Sequence, residues 1–412
     1  MRTIIAVNTG SSSVKLSAYI HNGTEPPTQI AHGEVSSIGE DKASIEYCRQ
    51  GESAKKESAK ESGKSHDTAF AAIIGRFVQD PKLHQIQDKK DIGLICHRIV
   101  HGGDYEDLQT ITDQAYQRLE SLVDLAPLHN ASAMQIVRCC FKLIPGSKNV
   151  ACFDTEFHKT IPKHIATYPI DQEVASRRGL RKYGFHGLSY GFIARRTAQY
   201  LKKDIGELNI IALHLGSGAS ACAIKNGRSW DTSMGLTPLS GLPGATRSGS
   251  IDPSLIFHYT NPVGNLSSSS TKDLHISRAE EILNKESGWA ALTGTKNFEE
   301  IAKMSEESHK LAFNMFVDRI CSFVGSYFVS LCGQVDALVF AGGIGEKSSR
   351  LRDAVIHGVG CLDFSVDSNA NNQEMLQAVE EISHAGAKRK VLVCQVDEQF
   401  EMVRLCGSLA NE

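Results

Sequence analysis

Residues 4–19 read IIAVNTGSSSVKLSAY, and this stretch decides the fold class. A short apolar run ends in Asn, Thr, Gly and three serines, and alternating residues follow through Tyr19. This order of residue types predicts a strand, a tight turn and a second strand. The backbone N–H groups of such a turn can hold phosphate oxygens.

The same pattern occurs again in the second half of the chain. Residues 210–215 are apolar, residues 216–220 read GSGAS, and residues 221–224 are apolar again. A third apolar run, residues 337–340, leads into AGGIGE at residues 341–346. The repeated strand–turn–strand predicts two related halves. Three glycine turns after buried strands favour an enzyme that handles phosphate.

Residues 231–253, DTSMGLTPLSGLPGATRSGSIDP, have little helical or strand periodicity. Glycine and small hydroxyl residues allow backbone to approach a ligand closely and to hydrogen-bond it. Arg247 is the one cation of the segment, and its planar guanidinium suits a carboxylate or a phosphate. An ordered surface loop is the alternative interpretation.

Composition sets broad limits. A chain of 412 residues predicts two domains, and its net charge of −3 gives no sign of nucleic-acid or anionic-membrane binding. Eleven cysteines are scattered without a CxxC pair, which indicates reduced thiols rather than a disulfide framework or a zinc site. No apolar leader or run of about 18 apolar residues occurs, so we expect a cytoplasmic protein.

Three further segments have predicted structural roles. Residues 50–66 and 261–273 are polar insertions with no identifiable chemistry. Residues 311–332 predict a long apolar-rich helix, in the core or at a subunit interface.

Nine motifs run along the chain in the order of one known family. They are NTGSSSVK (8–15), HRIVHGG (97–103), APLHN (126–130), CFDTEFH (152–158), YGFHG (183–187), HLGSGAS (214–220), DTSMGLTPLSGL (231–242), TRSGSIDP (246–253) and FAGGIGE (340–346). In these motifs the chain resembles the acetate kinases, of the acetate and sugar kinase/Hsp70/actin superfamily.

The resemblance implies an α/β fold with two related ribonuclease-H-like domains around a central cleft. The first domain is expected at residues 1–153 plus about 398–412, and the second, with the nucleotide-side glycine turns, at residues 154–397. The implied reaction is reversible, Mg²⁺-dependent phosphoryl transfer between a donor, with ATP/ADP favoured, and acetate, giving acetyl phosphate. A homodimer is implied, without nucleic-acid or membrane partners.

The resemblance also implies site residues. The expected catalytic residues are Arg98, Asp154, His186, Arg247 and, in a supporting role, His129. Arg98 with Val100, Leu128, Phe185 and Pro238 would bind the acyl substrate. Asn8 and Glu398 would hold the metal. The expected nucleotide-binding residues are Lys15, His214, Gly216, Ser217, Gly218, Asn297, Gly342, Gly343, Ile344 and Gly345.

Several positions depart from the family pattern, mostly on the nucleotide side. Ser217 stands where the family usually has Asn, Tyr190 where it has His, and Ser250 where it has Asp. Asn297 replaces an acidic residue, Glu299 replaces an Arg, and Lys347 replaces an Asn. In addition, residues 396–399 read VDEQ where relatives have TNEE. An arginine replaced by Glu299 should weaken binding of a polyphosphate unless Lys296 or Lys347 compensates. Pyrophosphate therefore stays open as the donor.

Other functions also stay open. Propionate is an alternative acceptor, because one methylene changes binding by only about 1–3 kcal/mol. Residues 187–191, GLSYG, fit the G-x-S-x-G elbow of serine esterases, which requires a strand before the serine and a helix after it. A binding protein of the same fold without catalysis is a third alternative.

Overall fold

The computed structural model describes residues 2–10, 12–21, 26–122, 127–259, 270 and 277–407. Side chains are described for these residues except 2, 121, 127–129 and 259. The chain divides into two compact units, residues 1–156 with 397–412 and residues 157–396. Among the described residues, no helix is long and apolar enough to span a membrane.

The first unit contains an eight-stranded sheet in the order β5-β4-β3-β2-β1-β6-β8-β7. Its strands are β1 (Arg2–Thr9), β2 (Ser13–His21), β3 (Thr28–Ser36), β4 (Ser44–Arg49), β5 (Lys55–Ser58), β6 (Ile92–Ile99), β7 (Gln109–Thr110) and β8 (Lys148–Phe153). The hairpin predicted from residues 4–19 is confirmed, with Val7 paired to Leu16 across β1 and β2.

The second unit contains a six-stranded sheet in the order β11-β10-β9-β12-β14-β13. Its strands are β9 (Ile210–Leu215), β10 (Ala219–Lys225), β11 (Arg228–Thr232), β12 (Ala337–Ala341), β13 (Val379–Glu381) and β14 (Lys390–Cys394). The hairpin predicted around residues 216–220 is β9–β10. The third glycine segment follows β12 as predicted, but it opens a helix rather than a second strand.

The two sheets share one topology. In the first sheet, β1 is antiparallel to β2, and β2 is antiparallel to β3. In the second sheet, β9 is likewise antiparallel to β10, and β10 is antiparallel to β11. On its other side, β1 is parallel to β6, and β6 is parallel to β8. In the second sheet, β9 is parallel to β12, and β12 is parallel to β14. A short antiparallel strand, β7 or β13, closes that edge. Two related halves are therefore present, as the repeated pattern predicts.

Helices cover these sheets. Those of the first unit are α1 (His66–Gln79), α2 (Asp113–Ser121), α3 (Pro127–Leu143) and α15 (Glu398–Cys406). Those of the second are α4 (Lys163–Ala166), α5 (Gln172–Arg178), α6 (Gly187–Leu201), α7 (Leu255–Tyr259), α8 (Arg278–Lys285), α9 (Gly288–Thr293), α10 (Phe298–Ala302), α11 (Glu307–Ser330), α12 (Gly342–Lys347), α13 (Ser349–Gly358) and α14 (Ser368–Asn371).

The predicted long helix is α11, and it belongs to the core of the second unit. Its apolar residues recur at helical spacing, so Phe313, Phe316, Ile320 and Val324 form one buried stripe. Trp289 packs edge-on against Phe316 beneath this stripe. On the opposite face α11 exposes Leu311 and Val329, by 59% and 75%.

Of the two predicted insertions, residues 50–66 supply β5, a fully exposed edge strand, and Ser65, which caps α1. Four exposed polar residues on an edge strand agree with a solvated segment. Residues 261–273 lie outside the described residues except for Ser270.

Three cysteines that are scattered in sequence come together in the first unit. The Sγ atoms of Cys96, Cys152 and Cys406 all lie within 4.8 Å of one another, and all three residues are fully buried. Burial raises the pKa of the Cys96 thiol well above its usual value. A buried neutral thiol packs as a small apolar side chain, and we assign the cluster that role.

Candidate active site

Three predicted site residues lie at the carboxyl ends of adjacent strands in the first unit. Asn8 is near the end of β1, Arg98 near the end of β6, and Asp154 directly follows β8. These three strands are parallel neighbours, so their carboxyl ends meet at one edge of the sheet. Active sites of α/β proteins collect at this edge.

Arg98 is the centre of the cluster. Its Nη2 lies 2.7 Å from Asp154 Oδ2, and its Nε donates to Asp154 Oδ1 at 3.1 Å. Its Nη1 donates to Glu398 Oε2 at 2.6 Å and to Asn8 Oδ1 at 3.4 Å. Asn8 Nδ2 also donates to Glu398 Oε2, at 2.9 Å. A guanidinium has five N–H groups, so within the described residues one N–H of Nη2 is left for a ligand.

Burial and charge act in opposite directions on Arg98. Its side chain is 16% exposed, and those of Asp154 and Glu398 are 1% and 14% exposed. Burial by itself would lower the pKa of Arg98, but the two carboxylates outweigh it and raise that pKa above its usual value. The guanidinium therefore stays charged, and the three ionised groups carry a net charge of minus one.

The first turn of α15 fixes Glu398. Asp397 caps the helix by accepting the Phe400 N–H at 2.8 Å. Gln399 Nε2 donates to the carbonyl of Ala6 on β1 at 3.0 Å, and Ser17 on β2 donates to Gln399 Oε1 at 2.9 Å. Residues 396–399 depart from the family pattern in sequence, yet Asp397 caps α15 and Gln399 ties its first turn to both strands of the first hairpin.

The segment after β6 is held by a residue without a predicted role. Asn130 is fully buried; its Oδ1 accepts the His101 N–H and its Nδ2 donates to the His101 carbonyl, both at 3.0 Å. This pair joins residues 97–103 to α3. Val100 is half-buried beside it. Leu128 and His129 belong to α3, but their side chains lie outside the described residues, so their predicted roles stay predictions.

The cluster fits a hard divalent cation. Asn8, Asp154 and Glu398 present amide and carboxylate oxygens, the ligand atoms that Mg²⁺ prefers. Their net negative charge, left after pairing with Arg98, favours a cation. Mg²⁺ usually retains waters and uses one or two carboxylates, so these side chains suit it without a complete protein cage.

The second unit holds the predicted histidines. His186 occupies the N-cap position of α6 with φ of 59°, in the left-handed region. Its Nδ1 lies 2.8 Å from Ser220 Oγ on β10. The His214 ring, on β9, lies 4.4 Å from the His186 ring between centroids. The structure therefore brings together two predicted residues from different motifs.

A third histidine, His158, orients the segment before His186. His158 is buried; its Nε2 donates to the Phe185 carbonyl at 2.9 Å, and its Nδ1 accepts from Ser229 Oγ at 2.7 Å. Burial lowers the pKa of His158 to about 4, so the ring is neutral. Phe185 is buried. Pro238, the other acyl-site residue predicted in this unit, is buried as well.

Arg247 has no charged partner within the part of the chain that the structure describes. Burial lowers its pKa to about 10, and no carboxylate among the described residues pairs with it. A Cβ atom added at Gly218 would lie 2.0 Å from Arg247 Nη2, so the glycine of the second turn makes room for the guanidinium. A half-buried, desolvated cation with no counterion among the described residues is costly, and it is typical of an anion-binding site.

A cavity of about 740 Å³ in the second unit brings together five predicted nucleotide-site residues. They are Gly216, Ser217, Asn297, Gly343 and Ile344. Four cations line the same cavity against a single carboxylate, Glu299; they are Lys296, Lys303, Lys347 and Arg350. Trp289 and Phe298 add aromatic surface. The cavity is therefore cationic despite Glu299.

Other predicted nucleotide residues are placed differently. Lys15 belongs to β2 of the first unit and forms an ion pair with Glu34 at 3.1 Å. Asn297 caps α10, accepting the Glu299 N–H at 3.0 Å, so its amide has a structural use besides lining the cavity. Gly342 has φ of 73°, and a Cβ there would meet the Leu215 carbonyl at 2.7 Å, so β9 and this turn pack without space for a side chain.

Arg352 on α13 supports the third glycine turn, and nothing in the sequence singled it out. It is buried, and its Nη1 donates to the carbonyls of Gly345 and Glu346 at 2.9 and 2.7 Å. Its Nε and Nη2 bind Asn371 at 2.7 and 2.6 Å. Four oxygen contacts on one guanidinium fix the end of α12 against α13 and α14.

Replacing Arg352 with alanine should lower the free energy of unfolding by about 2–4 kcal/mol, because it leaves buried oxygens without donors. We also expect the KM for the nucleotide predicted from the motifs to rise, since the glycine turn loses its support. Denaturant unfolding and steady-state kinetics measure the two effects. Arg319 on α11 is exposed, so Arg319→Ala should change neither value. Unchanged unfolding of Arg352→Ala would contradict the assigned role.

The esterase alternative is wrong. Ser189 is the third residue of α6 and is fully buried, and the residues directly before the helix form no strand. A nucleophile elbow requires an exposed serine between a strand and a helix.

Comparison with known proteins decides the family. The model of the acetokinase family matches residues 3–404, almost the whole chain. The chain belongs to the acetokinase family. Its members are phosphotransferases with a carboxyl group as acceptor, and this confirms the enzyme class predicted from the motifs.

Relatives of this acetokinase agree along their full length. A probable acetate kinase of Chaetomium globosum is 53% identical, with 100% of this chain and 99% of the relative covered. Two solved structures are 30% identical. A propionate kinase of Francisella tularensis has a TM-score of 0.84, with 98% of this chain and 99% of that chain covered. Porphyromonas gingivalis acetate kinase has a TM-score of 0.82, with both chains fully covered.

These matches also settle the fold class. The acetokinase has two related α/β units, each with the sheet topology described above, as in the acetate and propionate kinase structures. The comparisons favour neither the esterase nor the non-catalytic binding protein.

Proposed function

We propose that this acetokinase is an acetate kinase, which transfers the terminal phosphoryl group of ATP reversibly to acetate. An acetate oxygen forms the new bond to phosphorus, and the bond between phosphorus and the bridging oxygen of ATP breaks, giving acetyl phosphate and ADP. Charge spreads over the three equatorial phosphoryl oxygens in the transition state. Catalysis therefore depends on positioning and on cations.

The contacts suggest a role for each residue. We assign the acetate carboxylate to Arg98, which keeps one N–H of Nη2 for a ligand. Arg247, whose guanidinium has no carboxylate partner among the described residues, would stabilise the transferring phosphoryl group, and His186 would donate a hydrogen bond to it. Asp154, Asn8 and Glu398 would hold Mg²⁺. When bound, Mg²⁺ neutralises charge on the phosphate oxygens of the donor.

We propose ATP as the phosphoryl donor because of the cavity beside the second and third glycine turns. Its volume of about 740 Å³ suits a nucleotide, since ligand cavities of 300–1,000 Å³ hold molecules of that size. Ala302 and Ile344, both half-buried, offer apolar surface that pyrophosphate would not use. Lys296 and Lys347 both lie there, so the compensation required by Glu299 is available.

The direct test is consumption of acetyl phosphate by the purified protein with Mg²⁺, comparing ADP with inorganic phosphate as acceptor. We expect turnover with ADP and formation of ATP. Turnover with phosphate alone would make pyrophosphate the donor and would contradict the nucleotide assignment. Turnover with neither acceptor would overturn the proposed activity. Propionate in place of acetate, in the forward direction, tests the acyl preference.

Glu299 gives a graded test of the nucleotide cavity. Glu299→Gln should lower the KM for ADP about threefold and leave kcat unchanged, because it removes an exposed negative charge near the phosphates. Steady-state kinetics at low salt measures this effect. Glu307, paired with Lys310 on α11, provides the matched control, Glu307→Gln. An unchanged KM for ADP in Glu299→Gln would place the phosphates elsewhere.

We also propose that the enzyme is a homodimer. The support is the face of α11 that exposes Leu311 and Val329 on the second unit. Sedimentation of the purified protein tests the association. The cytoplasmic location expected from the sequence stays a prediction.

A further inference from the structure

We propose that Tyr190 is a positioning residue that sets the tautomer of His186 through Ser220. This inference rests on the proposed function, because it concerns how His186 meets the phosphoryl group.

The three residues form a short buried chain of hydrogen bonds. Tyr190 lies one turn after His186 on α6, and its backbone N–H donates to the His186 carbonyl at 3.0 Å. Its phenolic oxygen lies 2.5 Å from Ser220 Oγ, which lies 2.8 Å from His186 Nδ1. Tyr190 and Ser220 are both fully buried. Neither side chain is therefore in contact with bulk water.

The surroundings of Tyr190 fix the direction of the first bond. Among the described residues, Ser220 Oγ is the side-chain hydrogen-bond partner of the Tyr190 phenol. Burial raises the pKa of Tyr190 well above its usual value, so the phenol keeps its proton. A buried O–H requires an acceptor, and among the described residues Ser220 Oγ is the acceptor within reach. Tyr190 thus donates to Ser220.

The direction of the second bond follows. Ser220 Oγ already accepts from Tyr190, and its own proton needs an acceptor, which His186 Nδ1 provides at 2.8 Å. A neutral imidazole that accepts at Nδ1 carries its proton on Nε2. His186 is then a hydrogen-bond donor at Nε2. The other tautomer would present a lone pair from Nε2 to the anionic phosphoryl oxygens.

Phenylalanine at position 190 removes the first donor and leaves the shape of the side chain nearly unchanged. Ser220 can then rotate, and both tautomers of His186 become populated. We expect kcat of Tyr190→Phe to fall about 10- to 100-fold, less than the 10²- to 10³-fold typical of losing a donor outright. The KM values for ADP and acetyl phosphate should stay within about twofold, because no binding group is removed.

The decisive measurement is independent of activity. Long-range ¹H–¹⁵N spectra of the ¹⁵N-histidine-labelled protein report which ring nitrogen carries the proton, and the His186→Gln spectrum identifies the His186 signals. In the wild-type protein we expect a protonated Nε2 and an unprotonated Nδ1. In Tyr190→Phe and in Ser220→Ala the two nitrogen signals should shift towards each other. Tyr200→Phe, on the exposed far end of the same helix, should match the wild type.

Two results would overturn the proposal. One is a wild-type His186 protonated at Nδ1, a measurement that needs no variant to fold. The other is a Tyr190→Phe spectrum identical to that of the wild type. If the wild-type protein has the expected tautomer but no turnover with acetyl phosphate, the hydrogen-bond chain stands and the proposed function fails.

Discussion

Replacing Arg247 with alanine should lower kcat by 10²- to 10³-fold or more while leaving the free energy of unfolding unchanged or slightly higher. The guanidinium is buried enough to lower its pKa to about 10, and no carboxylate among the described residues compensates it. Removing a desolvated charge that has no counterion among the described residues relieves a cost to folding. The same charge is, by our proposal, the main stabiliser of the transferring phosphoryl group.

Steady-state kinetics and denaturant unfolding measure these two effects separately. Arg228 is an exposed arginine of the same unit, so Arg228→Ala controls for the loss of one positive charge and should change neither. Gly218→Ala keeps Arg247 but places a Cβ 2.0 Å from its Nη2, so it should also reduce kcat by displacing the guanidinium. Near-normal turnover of Arg247→Ala would remove this residue from the proposed mechanism.

Arg98→Ala should have the opposite effect on stability and a similar effect on activity. Asp154 and Glu398 are 1% and 14% exposed, and both depend on Arg98 for compensation. Removing one partner of a buried ion pair costs about 3–5 kcal/mol, because the remaining charge is left buried. We expect that loss at pH 7, together with a fall in kcat of at least about 10²-fold.

The pH dependence of this loss has a definite sign. Without Arg98, burial and mutual repulsion should raise the pKa of the two carboxyl groups above their unfolded values. The unfolded state then binds fewer protons than the folded state, so the deficit of Arg98→Ala should shrink as the pH falls. Unfolding measured between pH 7 and pH 5 tests this. A deficit that grows towards low pH would contradict the assigned charges.

Two further comparisons separate function from folding. Arg49 pairs with the buried Asp80 at 2.7 Å in the same unit, outside the proposed site, so Arg49→Ala should lose stability and keep kcat. Mg²⁺ should raise the thermal midpoint of Arg98→Ala more than that of the wild type, because the carboxylates are no longer neutralised. An equal shift in both proteins would argue against Asp154 and Glu398 as metal residues.

Much of this site could be predicted because it lies at strand ends. Asn8, Arg98 and Asp154 each follow a buried apolar run, and parallel neighbouring strands bring their carboxyl ends to one edge. The duplicated hairpin was equally visible, since a glycine turn between apolar runs is a local pattern. Residues 187–191 fit the esterase motif because that motif specifies only the spacing of residue types. Spacing does not show that Ser189 lies buried inside α6.

Residues that act through contacts formed only in the folded protein had no recognisable pattern in the sequence. Arg352 supports a turn six or seven positions away by donating to two carbonyls, and carbonyls are present in every sequence. Lys303 and Arg350 share a cavity with Glu299 only because α10 and α13 line the same space. Cys152 and Cys406 meet across 254 positions.

The sequence by itself determined the family, the two related sheets and the residue types needed for phosphoryl transfer, because apolar runs, glycine turns and motif order are local properties of the chain. Only the tertiary structure decided which charges are compensated. Arg98 is neutralised by two carboxylates and Arg247 by none of the carboxylates that the structure describes, although both are single arginines in glycine-bearing motifs. The charge balance of a buried group depends on every side chain packed around it, and those neighbours come from strands and helices far apart in sequence.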